Sequence, residues 1–327
     1  MRYIVGVDLG GTNIVVGTVA EDGAAIHGVR SAPTRPEEGA NAVVDRIVRL
    51  SLESLAEAGQ AAGITRADVI GLGVGAPGPL DIARGLVLVT PNLGWRDFPL
   101  RQLVSDGLRL PATLDNDANC AVYGEWWVGA GKGTRWLVGL TVGTGIGGGI
   151  VLDGKLYHGA ADMAGEIGHT TIDTSGRRCK CGNYGCLEAY ASGPAIAARA
   201  VEGLEAGAES RLPGLVGDDL TKITAQTVYE AAHQGDDYAL EVVRDTAKFL
   251  GAGVANIINT FNPEMIVILG GVTLAGDRLF VPLRAEVKRR AFKVMTEQCR
   301  ILPGALPGTA GVFGAAATFK LQTTGAV

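Results

Sequence analysis

Of the five cysteines in the 327-residue chain, Cys179, Cys181 and Cys186 fall within eight positions, and His169 lies ten residues upstream of the first. Three thiolates and one imidazole are a donor set for tetrahedral Zn²⁺, and Gly182 and Gly185 permit tight bends between the ligands. Four protein ligands close the coordination shell, so a zinc held here is structural rather than catalytic. Cys120 and Cys299 have no motif partners and read as buried thiols.

Two glycine-rich turns suggest a second chemistry. Asp8-Leu9-Gly10-Gly11-Thr12-Asn13 and Thr141-Val142-Gly143-Thr144-Gly145-Ile146-Gly147-Gly148-Gly149 each follow an apolar strand and precede another. Glycine lets successive N–H groups line up as an anion nest and lets the backbone approach a phosphate. The Asp8 carboxylate would repel phosphate directly, but it fits if a divalent cation lies between them. No Gly-x-x-x-x-Gly-Lys-Ser/Thr occurs, so neither turn is a P-loop. Residues 3–12 and 136–145 also share a pattern: glycine at the fourth position, a polar residue at the sixth, then a Gly/Thr turn. Each second strand ends at an Asp-Gly, at Asp22-Gly23 and Asp153-Gly154. Two similar lobes, each opening with a hairpin whose tip faces a shared cleft, would surround a phosphate chain; two ordinary hairpins are the alternative.

Leu114-Asp115-Asn116-Asp117-Ala118-Asn119 is a dense polar group where a strand ends and a helix should begin. Asp117 falls near that helix N-terminus, where the dipole favours a carboxylate. Local sequence alone leaves two alternatives open: Asp117 as a helix cap, and Asp115 on the same face as a competing base.

These groups need a scaffold. The apolar runs at 3–7 and 14–19 predict a hairpin, and 69–74 predicts a short buried strand. Between 40 and 59, Val44, Ile47, Val48, Leu52 and Leu55 predict one helical face. Leu240, Val243, Ala247, Leu250, Val254 and Ile257 predict another, followed by a strand at Met265–Leu269. Strands alternating with helices indicate the α/β class. Glycine numbers 49, about twice the usual share, while 47% of residues are hydrophobic and only 13 are proline, which argues against disorder and collagen. The net charge of -5 is spread without a basic stripe, pointing to a small-molecule partner and away from nucleic acid and membrane surfaces. No apolar run reaches the ~18 residues of a membrane span, and the amino terminus lacks a signal-peptide pattern. The expected compartment is the cytoplasm.

The two turns, with Leu269-Gly270-Gly271, resemble the first phosphate, second phosphate and adenosine segments of the actin-like sugar kinases. Asn13 stands where many relatives have Lys. Cys179-Lys180-Cys181-Gly182-Asn183-Tyr184-Gly185-Cys186-Leu187-Glu188 resembles the zinc signature of the ROK family, and the likeness covers essentially the whole chain, most closely the bacterial glucokinases. It implies two RNase H-like lobes with an interdomain cleft: a small lobe of 1–117 plus about 306–327, and a large lobe of 118–305 carrying the zinc loop. It implies phosphorylation of the glucose 6-hydroxyl by Mg-ATP, with Asp117 of the Asn-Asp-Ala motif as general base and Asp115 in support. Asp8, Gly10, Gly11, Thr12, Asn13, Thr141, Gly143, Thr144, Gly145, Gly270 and Gly271 become the nucleotide set. Gly78, Asn92, Asn116, Asp117, Glu166, His169 and Glu188 become the sugar set, with His169 serving zinc and sugar through different ring nitrogens. Glu166 and His169, three apart, can share a helical face. A dimer or tetramer is implied. Kinases for fructose, mannose or N-acetylmannosamine are the near alternatives. Sugar-sensing ROK repressors are the distant one; they carry a helix-turn-helix before the first phosphate turn, for which the seven residues ahead of Asp8 leave no room. Polyphosphate-using relatives fit less well because the zinc signature is intact.

Overall fold

The computed structural model describes residues 1–327 and divides into two units. The first comprises Met1–Arg135, Gly149–Gly165 and Ala305–Val327; the second comprises Trp136–Gly148 and Glu166–Gly304.

The chain opens with the expected hairpin, β1 (Tyr3–Leu9) antiparallel to β2 (Asn13–Ala20), and β3 (Ile26–Pro33) extends it along β2. Helix α1 (Ala40–Ala62) leads to β4 (Val69–Ala76), which runs parallel to β1. A small antiparallel sheet follows, of β5 (Leu80–Asp81), β6 (Leu86–Thr90) and β7 (Trp95–Phe98). Then α2 (Leu100–Leu108) leads to β8 (Ala112–Asn116), parallel to β4, and α3 (Asp117–Trp127) begins at the next residue. The main sheet is ordered β3-β2-β1-β4-β8.

A second five-stranded sheet repeats this plan. It begins with β9 (Leu137–Val142), β10 (Ile146–Leu152) and β11 (Lys155–Leu156). After the zinc-signature segment come α4 (Glu188–Ala191), α5 (Gly193–Glu205), α6 (Leu212–Leu215), α7 (Ala225–His233) and α8 (Asp237–Phe261). The central strand β12 (Met265–Leu269) is followed by α9 (Asp277–Arg290), α10 (Lys293–Gln298) and β13 (Arg300–Pro303). The order is β11-β10-β9-β12-β13, with β12 parallel to both β9 and β13. The likeness of 3–12 to 136–145 therefore reflects equivalent central positions for β1 and β9. No helix is long and apolar enough to cross a membrane.

The last helix, α11 (Ala310–Thr324), belongs to the first unit and packs on α3, β1 and β4. This packing decides where the units part. The expected boundary after Asp117 would send α3 to the second unit, but it stays with the first because its backbone lies almost directly against α11. A Cβ on Gly314 would overlap the Cys120 carbonyl, and one on Gly124 would overlap that of Ala310. Beneath α11, a Cβ on Gly73 would overlap the Ala315 carbonyl. The buried Glu125 carboxylate accepts from the N–H groups of Ala130 (2.9 Å), Ala305 (2.9 Å) and Leu306 (2.8 Å), tying the chain's re-entry to the end of α3.

One predicted face is rotated. Leu52 is 52% exposed, while α1 buries Val43, Val44, Ile47, Leu50, Ser51, Ser54 and Ala58. Ser51 donates to the Ile47 carbonyl at 2.8 Å and Ser54 shares a 2.9 Å bond with Thr18 on β2, so two hydrogen-bonded hydroxyls occupy the buried stripe. Hydrophobicity alone does not register such residues.

Gly314→Ala should therefore destabilise the protein by at least ~1–3 kcal/mol through overpacking. Gly214→Ala, where nothing stands within 4 Å of the added carbon, should stay within ~0.5 kcal/mol. Denaturant melts of the two variants check this.

Candidate active site and metal centre

In the first unit, sheet register gathers the acidic groups. Asp8 on β1 pairs with Gly75 on β4, and Gly75 pairs with Asp115 on β8. Residues in one row of parallel strands face the same side, so Asp8 and Asp115 flank a position with no side chain. Gly75 leaves space for α3: an added Cβ would stand 3.1 Å from Cys120 Sγ and 3.4 Å from Asp117 Cα. On the other side of Asp8, a Cβ at Gly311 of α11 would overlap its carboxylate. Burial first, and then the Asp117 charge, push Asp8 up to about 7. A carboxylate crowded in this way lacks positive charge, and its hard oxygens suit Mg²⁺.

The turn after Asp8 is strapped. Gly10 N–H donates to the Asn13 carbonyl at 2.9 Å, Thr34 N–H to Thr12 O at 2.8 Å, and the Thr34 hydroxyl to Gly10 O at 2.7 Å. Thr12 and Asn13 are exposed. Gly11 lies beside Asn92, whose Cβ would be 3.5 Å from a Cβ on Gly11. Gly78 has φ +96°, and a side chain there would overlap the Val89 carbonyl, so this turn requires glycine. Gly78 and Asn92 thus come from the connections around the small sheet.

At the β8–α3 junction, Asn116 is the helix cap: its Oδ1 accepts from Ala118 N (3.0 Å) and Asn119 N (3.1 Å). Asp117, one residue further, also accepts from Ala118 N at 2.8 Å. Capping therefore does not require Asp117. Asp115 differs from both. It is fully buried, and its Oδ1 accepts from Asn116 N (2.8 Å) and Asn119 Nδ2 (3.4 Å). Its Oδ2 meets His158 Nε2 at 2.9 Å and Gln322 Nε2 at 3.2 Å. With both oxygens engaged, Asp115 is a poor base. Asn119 Oδ1 is buried without a protein partner in this same acidic cluster.

In the second unit, Thr141 pairs with Leu269, so the Gly143–Gly145 turn and Gly270-Gly271 leave adjacent strand ends. Carboxyl ends of parallel strands are where open α/β sheets bind ligands. Gly270 has φ +100° and a Cβ there would overlap the Val142 carbonyl. Gly143 and Gly271 face open space, and Gly143 and Thr144 are exposed. The turn is held by Gly143 N–H to Gly145 O (2.9 Å) and Gly193 N–H to Gly143 O (2.8 Å).

Ligand atoms of His169, Cys179, Cys181 and Cys186 all lie within 4.8 Å of one another. The Sγ atoms of Cys181 and Cys186 are 3.7 Å apart, close to the ~3.8 Å edge of a tetrahedron with Zn–S bonds of ~2.3 Å. Both thiols are free rather than disulfide-bonded. His169 Nδ1 faces Cys179 Sγ at 3.8 Å, while Nε2 points to Glu166 Oε2 at 4.0 Å. The ring thus offers different nitrogens to the thiol cluster and to the carboxylate side. Glu166 and His169 are brought together by a 3₁₀ turn over Ile167–His169. Glu188 Oε2 accepts from Ile146 N at 2.9 Å, joining the zinc signature to the second glycine turn.

The structure therefore gathers the sequence-predicted residues in two sets. Asp8, Gly10, Gly11, Thr12, Asn13, Gly78, Asn92, Asn116 and Asp117 belong to the first unit. Thr141, Gly143, Thr144, Gly145, Glu166, His169, Glu188, Gly270, Gly271 and the three cysteines belong to the second. Sequence reasoning missed His158 and Gly311, and it placed Asn119 in the polar run without giving it a role. His158 is one of only four histidines, which was the single available signal; the contact with Asp115 spans 43 positions.

Residues 4–322 match the ROK family. A glucokinase of Halalkalibacterium halodurans is 39% identical over 322 residues, covering 98% of this chain and 96% of its own. A xylose repressor of Caldicellulosiruptor bescii is 35% identical over 270 residues, covering 83% of this chain and 67% of its own. The crystal structure of a ROK family glucokinase from Streptomyces griseus, in complex with glucose and AMPPNP, superposes with a TM-score of 0.83. It is 36% identical and covers 96% of this chain and 98% of that one. Fold, zinc signature and near full-length similarity agree: the chain belongs to the ROK family.

Proposed function

We infer that the protein is a sugar kinase that transfers the γ-phosphoryl group of ATP to the 6-hydroxyl of glucose. The observation that carries this reading is the β8–α3 junction. Asn116 takes the capping role and Asp115 is engaged at both oxygens, which supports Asp117 as the general base. Similarity over 96% of the chain to a ROK family glucokinase in complex with glucose and AMPPNP supports this substrate pair.

In this reading Asp117 accepts the 6-hydroxyl proton as the sugar oxygen bonds to the γ-phosphorus. The bond to the β–γ bridging oxygen breaks and ADP leaves. Asp8 would hold Mg²⁺, whose charge offsets that of the phosphates. Gly10, Gly11, Thr12 and Asn13 with Thr141, Gly143, Thr144 and Gly145 position the phosphates, and Gly270-Gly271 takes the adenosine end. Gly78, Asn92, Asn116, Glu166, His169 and Glu188 read the sugar hydroxyls, each of which both donates and accepts. His169, Cys179, Cys181 and Cys186 would hold Zn²⁺, which would order the segment carrying Glu166, His169 and Glu188.

The xylose repressor among the relatives favours a second reading, a sugar sensor without turnover. A coupled assay over glucose, fructose, mannose and N-acetylmannosamine, with ATP, ADP and polyphosphate as donors, separates the two. Glucose with ATP should give the highest kcat/KM. Specific DNA binding without turnover of any hexose would overturn the kinase reading.

The purified protein should contain about one zinc per chain. Cys181→Ser or prolonged chelation should remove it and raise the glucose KM more than about tenfold, because both Glu166 and His169 lose their support. Full activity in zinc-free protein would contradict this role.

A further inference from the structure

His158 lies two residues past β11, outside every segment assigned above, yet it meets the most buried carboxylate of the acidic cluster. Asp115 has no solvent exposure, and three of its four donors are neutral: the Asn116 N–H and the amides of Asn119 and Gln322. The fourth, His158 Nε2 at 2.9 Å, is the one that can carry charge. A buried carboxylate with only neutral donors is poorly compensated. We propose that His158, as an imidazolium, is a positioning residue: it balances Asp115 and thereby fixes the junction that presents Asn116 and Asp117.

The lever is short. Asp115 Oδ1 holds the N–H of Asn116, Asn116 caps α3, and Asp117 is the first residue of that helix. A carboxylate that turned away from a neutral ring would release the first of these bonds and disturb the next two residues. Two charges act on His158 itself, Asp115 from β8 and Asp162 from its own loop. Burial pulls the imidazole down, but the Asp115 hydrogen bond and charge, with Asp162, leave it above its ordinary value. Asp162 is anchored in turn, accepting from Ile82 N at 3.2 Å. Facing Asp115 from α3 are the Tyr123 phenol and the Cys120 thiol, both pushed up first by burial and then by Asp115, so neither supplies a compensating charge. Asp8 and Asp117 act on the same Cys120 thiol, so three carboxylates converge there against one imidazole.

A raised imidazole pKa means the charged pair is complete at low pH and is lost as pH rises through that value. The inference rests on the kinase reading, and the test separates the two. His158→Gln keeps an N–H donor but cannot become a cation. At pH 6 it should lower kcat about tenfold while the glucose KM stays within about threefold. Above the imidazole pKa the wild type and the variant should converge, because the wild-type ring is then neutral too. A ratio that stays constant from pH 6 to 9, or wild-type kcat in the variant throughout, overturns the proposal. Independently of turnover, ¹⁵N-histidine NMR should show His158 titrating above the ordinary imidazole range and returning toward it in Asp115→Asn. A titration unaffected by Asp115→Asn overturns the pair, whereas absence of any hexose phosphorylation in the wild type overturns only the kinase reading.

Discussion

Negative charge held in a tight, partly dry space is the constraint around which the first unit is built. Asp8 and Asp115 occupy one row of parallel strands, and Asp117 starts the helix that packs over the glycine between them. Burial first, and then the Asp117 charge, raise Asp8 to about 7 and oppose its ionisation. Each carboxylate has a different answer. Asp115 is buried against His158 and three neutral donors, Asp117 sits at a helix N-terminus, and Asp8 suits a cation. In the proposed reading a hydrogen-bonded partner, a helix dipole and a metal ion would divide one electrostatic problem, giving three similar side chains three different roles.

Absent side chains make that arrangement sterically possible. Gly75 admits the first turn of α3, Gly311 admits the Asp8 carboxylate, and Gly124 and Gly314 let α3 and α11 lie backbone to backbone. The glycine excess therefore has two causes. Some glycines, such as Gly143 and Gly271, form turns that look into open space, where the proposed function places ligand. Others, such as Gly73 and Gly314, let helices settle on a sheet or on one another, with no ligand involved. Composition cannot separate these uses, because both appear simply as glycine.

Much of the architecture was legible in the residues. The paired hairpins, the buried strands at β4 and β12, and the internal likeness of the two halves follow from local patterns of apolar residues and glycine. The Cys₃His cluster was legible because three of its four side chains are close in sequence. The face of α1 was not, since buried Ser51 and Ser54 look polar until their partners are known. Neither was the membership of α3, which depends on a helix almost 200 positions later. His158 escaped for the same reason: its partner Asp115 is distant in the chain, and nothing next to it marks a site. Long-range pairs of this kind become visible only once the topology is known.

Single-turnover phosphoryl transfer measured by rapid quench, comparing Asp117→Asn with Asp115→Asn, tests the assignment of roles most directly. The account predicts that Asp117→Asn slows the chemical step by ~10²–10⁴-fold while glucose binding measured by calorimetry survives. Asp115→Asn, losing a support rather than the base, should retain a substantially faster step and lose stability instead. A near-normal step in Asp117→Asn, or a larger loss in Asp115→Asn with its stability intact, would contradict the account.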